Sequence, residues 1–406
     1  MQDARVSSLP RILIAAGGIY TAQSLVGGLT FMGIPAVLRA HNVALDKIGL
    51  ISLVMLVWAF KFLWAPPLER LRILPNGKRR SRRIILIGEV ITASLLIALG
   101  FTSAVNFAMV IVFLLLMAVT SATIDIACDA FIFEQLAQNE RGAGNVAQVG
   151  GGYFGLIFGG GLFLTTLAIY GWFAACILLA CLVLLMSVPM LLTREAHVAP
   201  VEIAKSPSLL HAFQRFDIRT GLVIAVVFEM GGRLTQSLTG PFLVDAGVPL
   251  SLLGILNGVG GVAAGICGAA LGGLIVHKTG SVKAVIYIAA AHVIALSIVM
   301  LIVVLGVRDI SVLVSIFILE SAVMAAGFVA IYSRLMGLVS PSQPGVDFTL
   351  FQSASAVAAA LFGTAGGILA HQAGYAASFI MSAALATITP PLLILLERRL
   401  IKGTCS

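Results

Sequence analysis

Phe107-Ala-Met-Val-Ile-Val-Phe-Leu-Leu-Leu-Met-Ala-Val-Thr-Ser121-Ala-Thr-Ile-Asp125-Ile-Ala-Cys-Asp129-Ala-Phe-Ile-Phe133 is one apolar stretch interrupted by two carboxylates. As a helix rising about 1.5 Å per residue it is long enough to cross about 30 Å of hydrocarbon. Its two aspartates stand four residues apart and therefore share a face. Outward from this stretch, apolar runs of similar length recur at roughly 12–34, 48–66, 84–102, 107–133, 144–168, 171–193, 219–241, 250–275, 284–306, 311–335, 348–370 and 375–396. Of the 406 residues 60% are apolar and 10% charged, and the mean hydropathy is +1.08. A soluble chain carries about 25% charged residues. The reading is an all-α membrane protein with twelve transmembrane helices.

The net charge of +8 invites a nucleic-acid reading, but its placement argues against one. Of the 25 Lys and Arg, 20 fall on one side of the spans, seven of them in the 67–83 connection: Arg70, Arg72, Lys78, Arg79, Arg80, Arg82 and Arg83. Arg39, Lys47 and Arg308 make up the other side. Cytoplasmic loops carry the basic excess, so both termini are expected in the cytoplasm, with anionic lipid as a secondary contact. Arg5 and Arg11 precede an apolar stretch that runs to Ile34, too long for a signal-peptide core, so it is expected to stay as the first helix. Cys128, Cys176, Cys181, Cys267 and Cys405 fit neither a metal site nor a disulfide framework, and the four within spans read as small core residues.

The two halves repeat. Glu-Arg-Gly142 leads to Tyr-Gly171-Trp, and Gln-Pro-Gly345 leads to Ala-Gly374-Tyr over the same distance. Pro35…Val43-Ala-Leu45…Gly49 parallels Pro241…Val248-Pro-Leu250…Gly254. Six spans per half make this a parallel repeat, giving two pseudo-symmetric six-helix bundles at 1–193 and 219–406 joined by a cytoplasmic linker at 194–218. Glycines spaced four apart (Gly151, Gly155 and Gly159; Gly254 and Gly258; Gly261 and Gly265; Gly268 and Gly272) suit close helix packing in lipid. They serve either static packing or a sliding surface between the bundles.

Lys61, Asp125, Asp129, Glu229, Arg233 and Glu320 all lie within spans, as charge at membrane depth. Each costs roughly 2.5–3.5 kcal/mol at a helix centre, so six unpaired would cost about 15–20 kcal/mol, above the stability of an ordinary fold. They must face one another or a cavity. Two carboxylates as close as Asp125 and Asp129 do not both ionise readily, which suits a proton carrier with Lys61 as counter-ion; a fixed structural ion cluster is the alternative. Glu229 and Arg233 are also four apart. The Arg233 fork suits an anionic substrate, unless it only neutralises Glu229. Glu320 is either a second protonation site or the partner of Arg233. Tyr20, Thr21, Gln23 and Ser24 on the first span, with Thr235, Gln236 and Ser237 on the seventh, complete a polar lining; Tyr20, Gln23, Glu229, Arg233 and Gln236 are the candidate substrate contacts.

Gly258-Val-Gly260-Gly-Val-Ala263 resembles a truncated dinucleotide fingerprint but lies in an apolar run with no strand before it, and Gly273…Lys278-Thr279 lacks a P-loop's second glycine. No nucleotide site, cofactor or metal is expected, and the chain is not read as an enzyme.

Phe60-Lys-Phe-Leu-Trp-Ala-Pro66 with its basic loop, and Ser121-Ala-Thr-Ile-Asp125-Ile-Ala-Cys-Asp129-Ala130 continuing into Glu140-Arg-Gly-Ala-Gly144, resemble the muropeptide permease branch of the major facilitators. The similarity covers essentially the whole chain. Within that branch, Tyr20-Thr-Ala-Gln-Ser-Leu-Val-Gly-Gly-Leu-Thr-Phe31, Asp125–Leu136 and Gln148-Val-Gly-Gly-Gly-Tyr153…Gly159-Gly-Gly-Leu162 look closer to the siderophore permeases, the rhizobactin and pyochelin importers. The muropeptide type usually has Gly-Tyr-Arg where this chain has Gly-Tyr153-Phe154. The resemblance implies the major facilitator fold, with spans one, four, seven and ten lining the cavity. It further implies a monomer in the bacterial inner membrane that imports a ferric siderophore, driven by protons. Muropeptide uptake and drug export on the same fold are the alternatives.

Overall fold

A computed structural model of the chain describes residues 7–41, 50–74, 77–104, 106–195, 207–248 and 259–403. Arg5, the Val43–Gly49 and Leu250–Gly254 ends of the repeat, Gly258 and Cys405 lie outside the described residues.

The described chain is helical. Helix α1 (Leu9–Gly28) starts with Pro10 in its first turn, where a missing N–H costs nothing, and continues through a π turn at Leu29–Gly33 into Ile34–Ala40. The second span is broken: a 3-10 turn (Leu50–Val54), α2 (Met55–Phe60), a second 3-10 turn (Lys61–Leu63) and α3 (Ala65–Arg72). Pro66 and Pro67 open α3; lacking N–H groups, they cannot continue the helix before them. Then follow α4 (Ser81–Gly100), α5 (Phe107–Gln135), α6 (Arg141–Leu156, extended by a π turn at Ile157–Leu162) and α7 (Phe163–Leu192). The second half has α8 (Phe216–Asp245), α9 (Gly261–Thr279), α10 (Ser281–Val304), α11 (Ile310–Met336) and α12 (Pro344–Gly403).

Among the described residues, eight helical stretches are long and apolar enough to cross a membrane; Gln138–Leu192 and Pro344–Ile401 span 55 and 58 residues. Each of these two turns back on itself at one glycine, Gly171 (φ 83°) in α7 and Gly374 (φ 82°) in α12, a backbone angle that glycine adopts without penalty. Counting both arms of each hairpin, the broken 50–72 segment and the charge-bearing α8, every one of the twelve expected spans has a helical counterpart. The repeat extends to capping chemistry: the Asn106 side chain accepts from the Met109 N–H (3.3 Å) and that of Asp309 from the Val312 N–H (3.1 Å), at equivalent places in the two halves.

The chain forms two compact units. One comprises Met1–Leu209 with Val339–Thr349, the other Leu210–Leu338 with Leu350–Ser406. The first unit thus includes a segment that the sequence places in the second half. There Val346 packs with Ala65, Leu68 and Ile126, and the Gly345 N–H donates to Glu69 Oε1 (3.3 Å). Each unit has its own apolar core, around Leu25, Leu96, Met117 and Leu179 in one and Leu234, Phe317 and Phe379 in the other. Outward-facing apolar side chains such as Ile14, Ile169, Leu271 and Ile294 suit lipid. Cys181 and Cys267 are exposed in the same way, so only Cys128 and Cys176 are core residues.

The glycine faces pack within the units. A Cβ on Gly151, Gly155 or Gly159 would collide with the backbone oxygens of Gly17, Thr21 and Leu25 respectively, so α6 and its π turn rest directly on α1. Gly268 and Gly272 meet the Ala322 and Ala326 oxygens of α11 in the same sense. At these positions the sliding-surface reading gives way to fixed packing inside each bundle. Gly159→Ala is expected to force α1 and the π turn apart, costing about 1–3 kcal/mol or more, whereas Gly161→Ala has open space. Thermal unfolding in detergent checks this; equal melting temperatures for the two variants would sink it.

Candidate functional site

Helix α1, seated on α6 by the glycine contact, presents polar side chains to the aspartates of α5. Tyr20 Oη donates to Asp129 Oδ1 (2.5 Å), and Gln148 Nε2 on α6 donates to the same oxygen (3.1 Å). Asp125 forms an ion pair with Lys61. The Gln23 amide, oriented to satisfy its neighbours, donates to Asp125 Oδ1 (3.1 Å) and accepts from the Asp125 N–H (3.2 Å). Lys61 occupies the 3-10 turn between α2 and α3, so the proline break aims its ammonium at α5. Trp64, at the same break, donates from Nε1 to Thr123 Oγ1 (3.2 Å). Lys61, Asp125 and Asp129 are all buried. The two carboxylates are thereby differentiated: Asp125 holds a cation, and Asp129 receives a phenol and an amide.

Four sequence-expected residues, Lys61, Asp125, Asp129 and Tyr20, therefore meet in one cluster of the first unit, with Gln23 as a fifth member. Tyr20 and Gln23, expected as substrate contacts, hydrogen-bond the aspartates. Gln148 joins them; along the chain it stands out only as part of a family resemblance, with no mark of a role in the cluster.

In the second unit, Arg233 Nε donates to Glu229 Oε2 (2.5 Å) and Nη1 to Gln236 Oε1 (2.8 Å), and the guanidinium lies 4.9 Å from the Phe328 ring centre. The Glu229 side chain is fully buried and that of Arg233 is 20% exposed. Two of a guanidinium's five N–H groups are thus used, leaving donors for an anionic oxygen. Glu320 does not pair with Arg233. It faces His292 on α10 instead, with Nε2 3.5 Å from Oε1.

Two buried ionisable groups in the spans are absent from the expected set. Glu89 on α4 is 1% exposed, and its Oε1 has no hydrogen-bond partner among the described residues. It lies within the expected 84–102 span, so counting every acidic residue inside a span would have included it. His292 carries no signal of its own, because a lone histidine in an apolar run fits many roles.

The basic 67–83 connection also does more than set topology. Arg72 clamps Glu69 through Nε (3.0 Å) and Nη2 (2.7 Å), and its Nη1 reaches Glu134 Oε2 (2.7 Å) and Ser81 Oγ (3.0 Å). Arg79 adds a second ion pair to Glu134 (3.0 Å). Burial alone would lower the proton affinity of Arg72, but Glu69 and Glu134 outweigh it and hold the guanidinium above its ordinary range.

Membrane-buried charge arranged in this way, on a twice-repeated helical bundle, defines a secondary transporter. The chain matches the model of the Major Facilitator Superfamily over residues 13–320 and belongs to that superfamily, whose fold and homologues are those of multi-pass transporters rather than enzymes. It is 27% identical over 409 residues to the anhydromuropeptide permease of Escherichia coli (strain K12), covering 98% of this chain and 82% of that protein. It is 21% identical over 283 residues to the putative transporter AmpG 4 of Rickettsia felis, covering 66% and 68% of the two chains. Among solved structures, the human organic anion transporter MFSD10 superposes with a TM-score of 0.73 at 18% identity, over 95% of this chain and 99% of that one. The Escherichia coli fucose:proton symporter FucP gives 0.69 at 16% identity, over 96% and 98%. Both show the fold. These relatives lend no support to the siderophore branch expected from the sequence.

Proposed function

We propose that the chain is a proton-coupled permease of the bacterial inner membrane that takes up muropeptides by alternating access, with both termini in the cytoplasm. The observation that carries this reading is the similarity to an anhydromuropeptide permease along 98% of the chain, through the Lys61–Asp125 and Asp129 cluster. A muropeptide presents sugar hydroxyls, amides and peptide carboxylates. The half-satisfied fork of Arg233 suits one such carboxylate, with Gln236 alongside for a neutral group. Asp129 is the proton carrier in this reading: its neighbours Tyr20 and Gln148 are donors that can follow a change of its charge.

The test is uptake of radiolabelled anhydromuropeptide in a strain lacking its own muropeptide permease. The wild-type chain should accumulate it under an inward proton gradient. Asp129→Asn should abolish accumulation while preserving exchange of labelled for unlabelled substrate. Accumulation of radio-iron siderophores but not muropeptide would replace the substrate, and normal accumulation by Asp129→Asn would remove that residue's role.

A further inference from the structure

Against the turn of α8 that carries Gly232 and Arg233, the second unit holds a second set of buried ionisable groups. His292 on α10 and Glu320 on α11 are 5% and 4% exposed, with Nε2 and Oε1 facing each other at 3.5 Å. Neither atom has a hydrogen-bond partner among the described residues. Buried polar atoms are almost always paired, and two facing ones left unpaired on adjacent helices need an explanation. A neutral imidazole nitrogen and a carboxylate oxygen that face each other as acceptors repel. One added proton turns them into a donor and an acceptor of opposite charge, and a charge-assisted hydrogen bond can form across the gap.

The surroundings leave the pair to itself. On α8, Phe228, Gly231 and Gly232 approach His292, and a Cβ on Gly232 would lie 2.5 Å from its Cε1. The charged groups of that helix, Glu229 and Arg233, are bonded to each other. From α12, Ala386 and Thr389 line the same small cavity as His292, and the Thr389 hydroxyl is held by the Val227 and Leu385 oxygens. Farther along the same helices, Glu397 is paired with Arg334. On α9, His277 and Lys278 belong to the last turn, and on α10 Lys283 belongs to the first. A cavity of about 10 Å³ borders His292 on the side of α8 and α12, room for one water at most, so solvent does not surround the imidazole there.

We propose that His292 and Glu320 are a second proton-binding site, which takes up one proton between Nε2 and Oε1 beside Gly232, the residue that precedes Arg233 on α8. This inference rests on the proton-coupled reading above but places a titrating group in the other unit, next to the substrate arginine. Gly232 is the physical link, because it lets the imidazole ring lie against the turn of α8 that carries Arg233. Closure of the His292–Glu320 bond would move the ring away from Gly232.

Infrared difference spectroscopy of the purified full chain in detergent, stepped between about pH 5.5 and about pH 8, tests the pair without any substrate. Over the background of the other five histidines, the wild type should show an imidazole component that titrates together with a carboxyl signal. That component and the carboxyl signal should disappear in His292→Gln and in Glu320→Gln, and both should persist in Asp129→Asn. A wild-type chain with no carboxyl signal titrating alongside an imidazole one overturns the proposal whether or not the variants fold. So does a signal that survives in folded Glu320→Gln. Loss of the signal in Asp129→Asn alone would transfer the titration to the first unit. Failure of muropeptide uptake would leave this spectrum untouched, so the two readings fail separately.

Discussion

Arg72→Ala is expected to lose about 3–5 kcal/mol of stability, a large share of the roughly 5–15 kcal/mol that an ordinary fold possesses. The reason is what stays behind. Glu69 and Arg72 are both 0% exposed and the Glu134 side chain is 4% exposed, so the variant retains two buried carboxylates, with Arg79 still paired to Glu134. Arg72→Lys keeps a charge but not the two-pronged grip on Glu69, and should lose less. Arg72→Gln combined with Glu69→Gln removes charge from both sides and should recover part of the loss. Yield after extraction and thermal unfolding in detergent give the measurement. An alanine variant that melts with the wild type would mean that the cluster contributes nothing.

Lys61→Met should be comparably damaging, by about 3–5 kcal/mol, because it leaves the Asp125 carboxylate buried with Gln23 but without its ammonium. Pairing the change with Asp125→Leu replaces both charges by apolar groups, which is often neutral for folding. The double variant is therefore expected to melt close to the wild type yet fail to accumulate substrate. That combination separates a pair needed for folding from one needed for transport. Full uptake by the double variant would reduce Lys61 and Asp125 to a structural clamp.

Much of the fold and part of the site are legible in the amino-acid sequence, and the boundary of what is legible is physical. Periodicity along a helix is recorded in the chain, so spacing alone places Asp125 with Asp129, and Glu229 with Arg233, on shared faces. Lys61 can be matched to Asp125 because the cost of charge in lipid leaves few ways to satisfy it. The hairpin glycines Gly171 and Gly374 stand out by recurring at the same place in each half. Contacts across helices are different: nothing in the spacing of His292 and Glu320 says that α10 and α11 present them to each other. Tyr20 reads as a substrate contact for the same reason, since its phenol could equally face a cavity. Arg72 disappears into a count. Seven basic residues in one connection satisfy the rule for loop charge, and the rule does not say which of them is folded inward onto Glu69 and Glu134.

Val339–Thr349 belongs to the first unit but is flanked on both sides by residues of the second. This fixes an order of assembly. A chain made from its N-terminus presents Glu69 and Ile126 long before the peptide that donates to one and packs Val346 against the other; the whole of Leu210–Leu338 comes first. During synthesis the first bundle therefore waits in the membrane with an unfilled seat, and it is finished only by a passage made much later. A gene cut within the 196–206 connection would yield an N-terminal fragment that lacks this peptide for good.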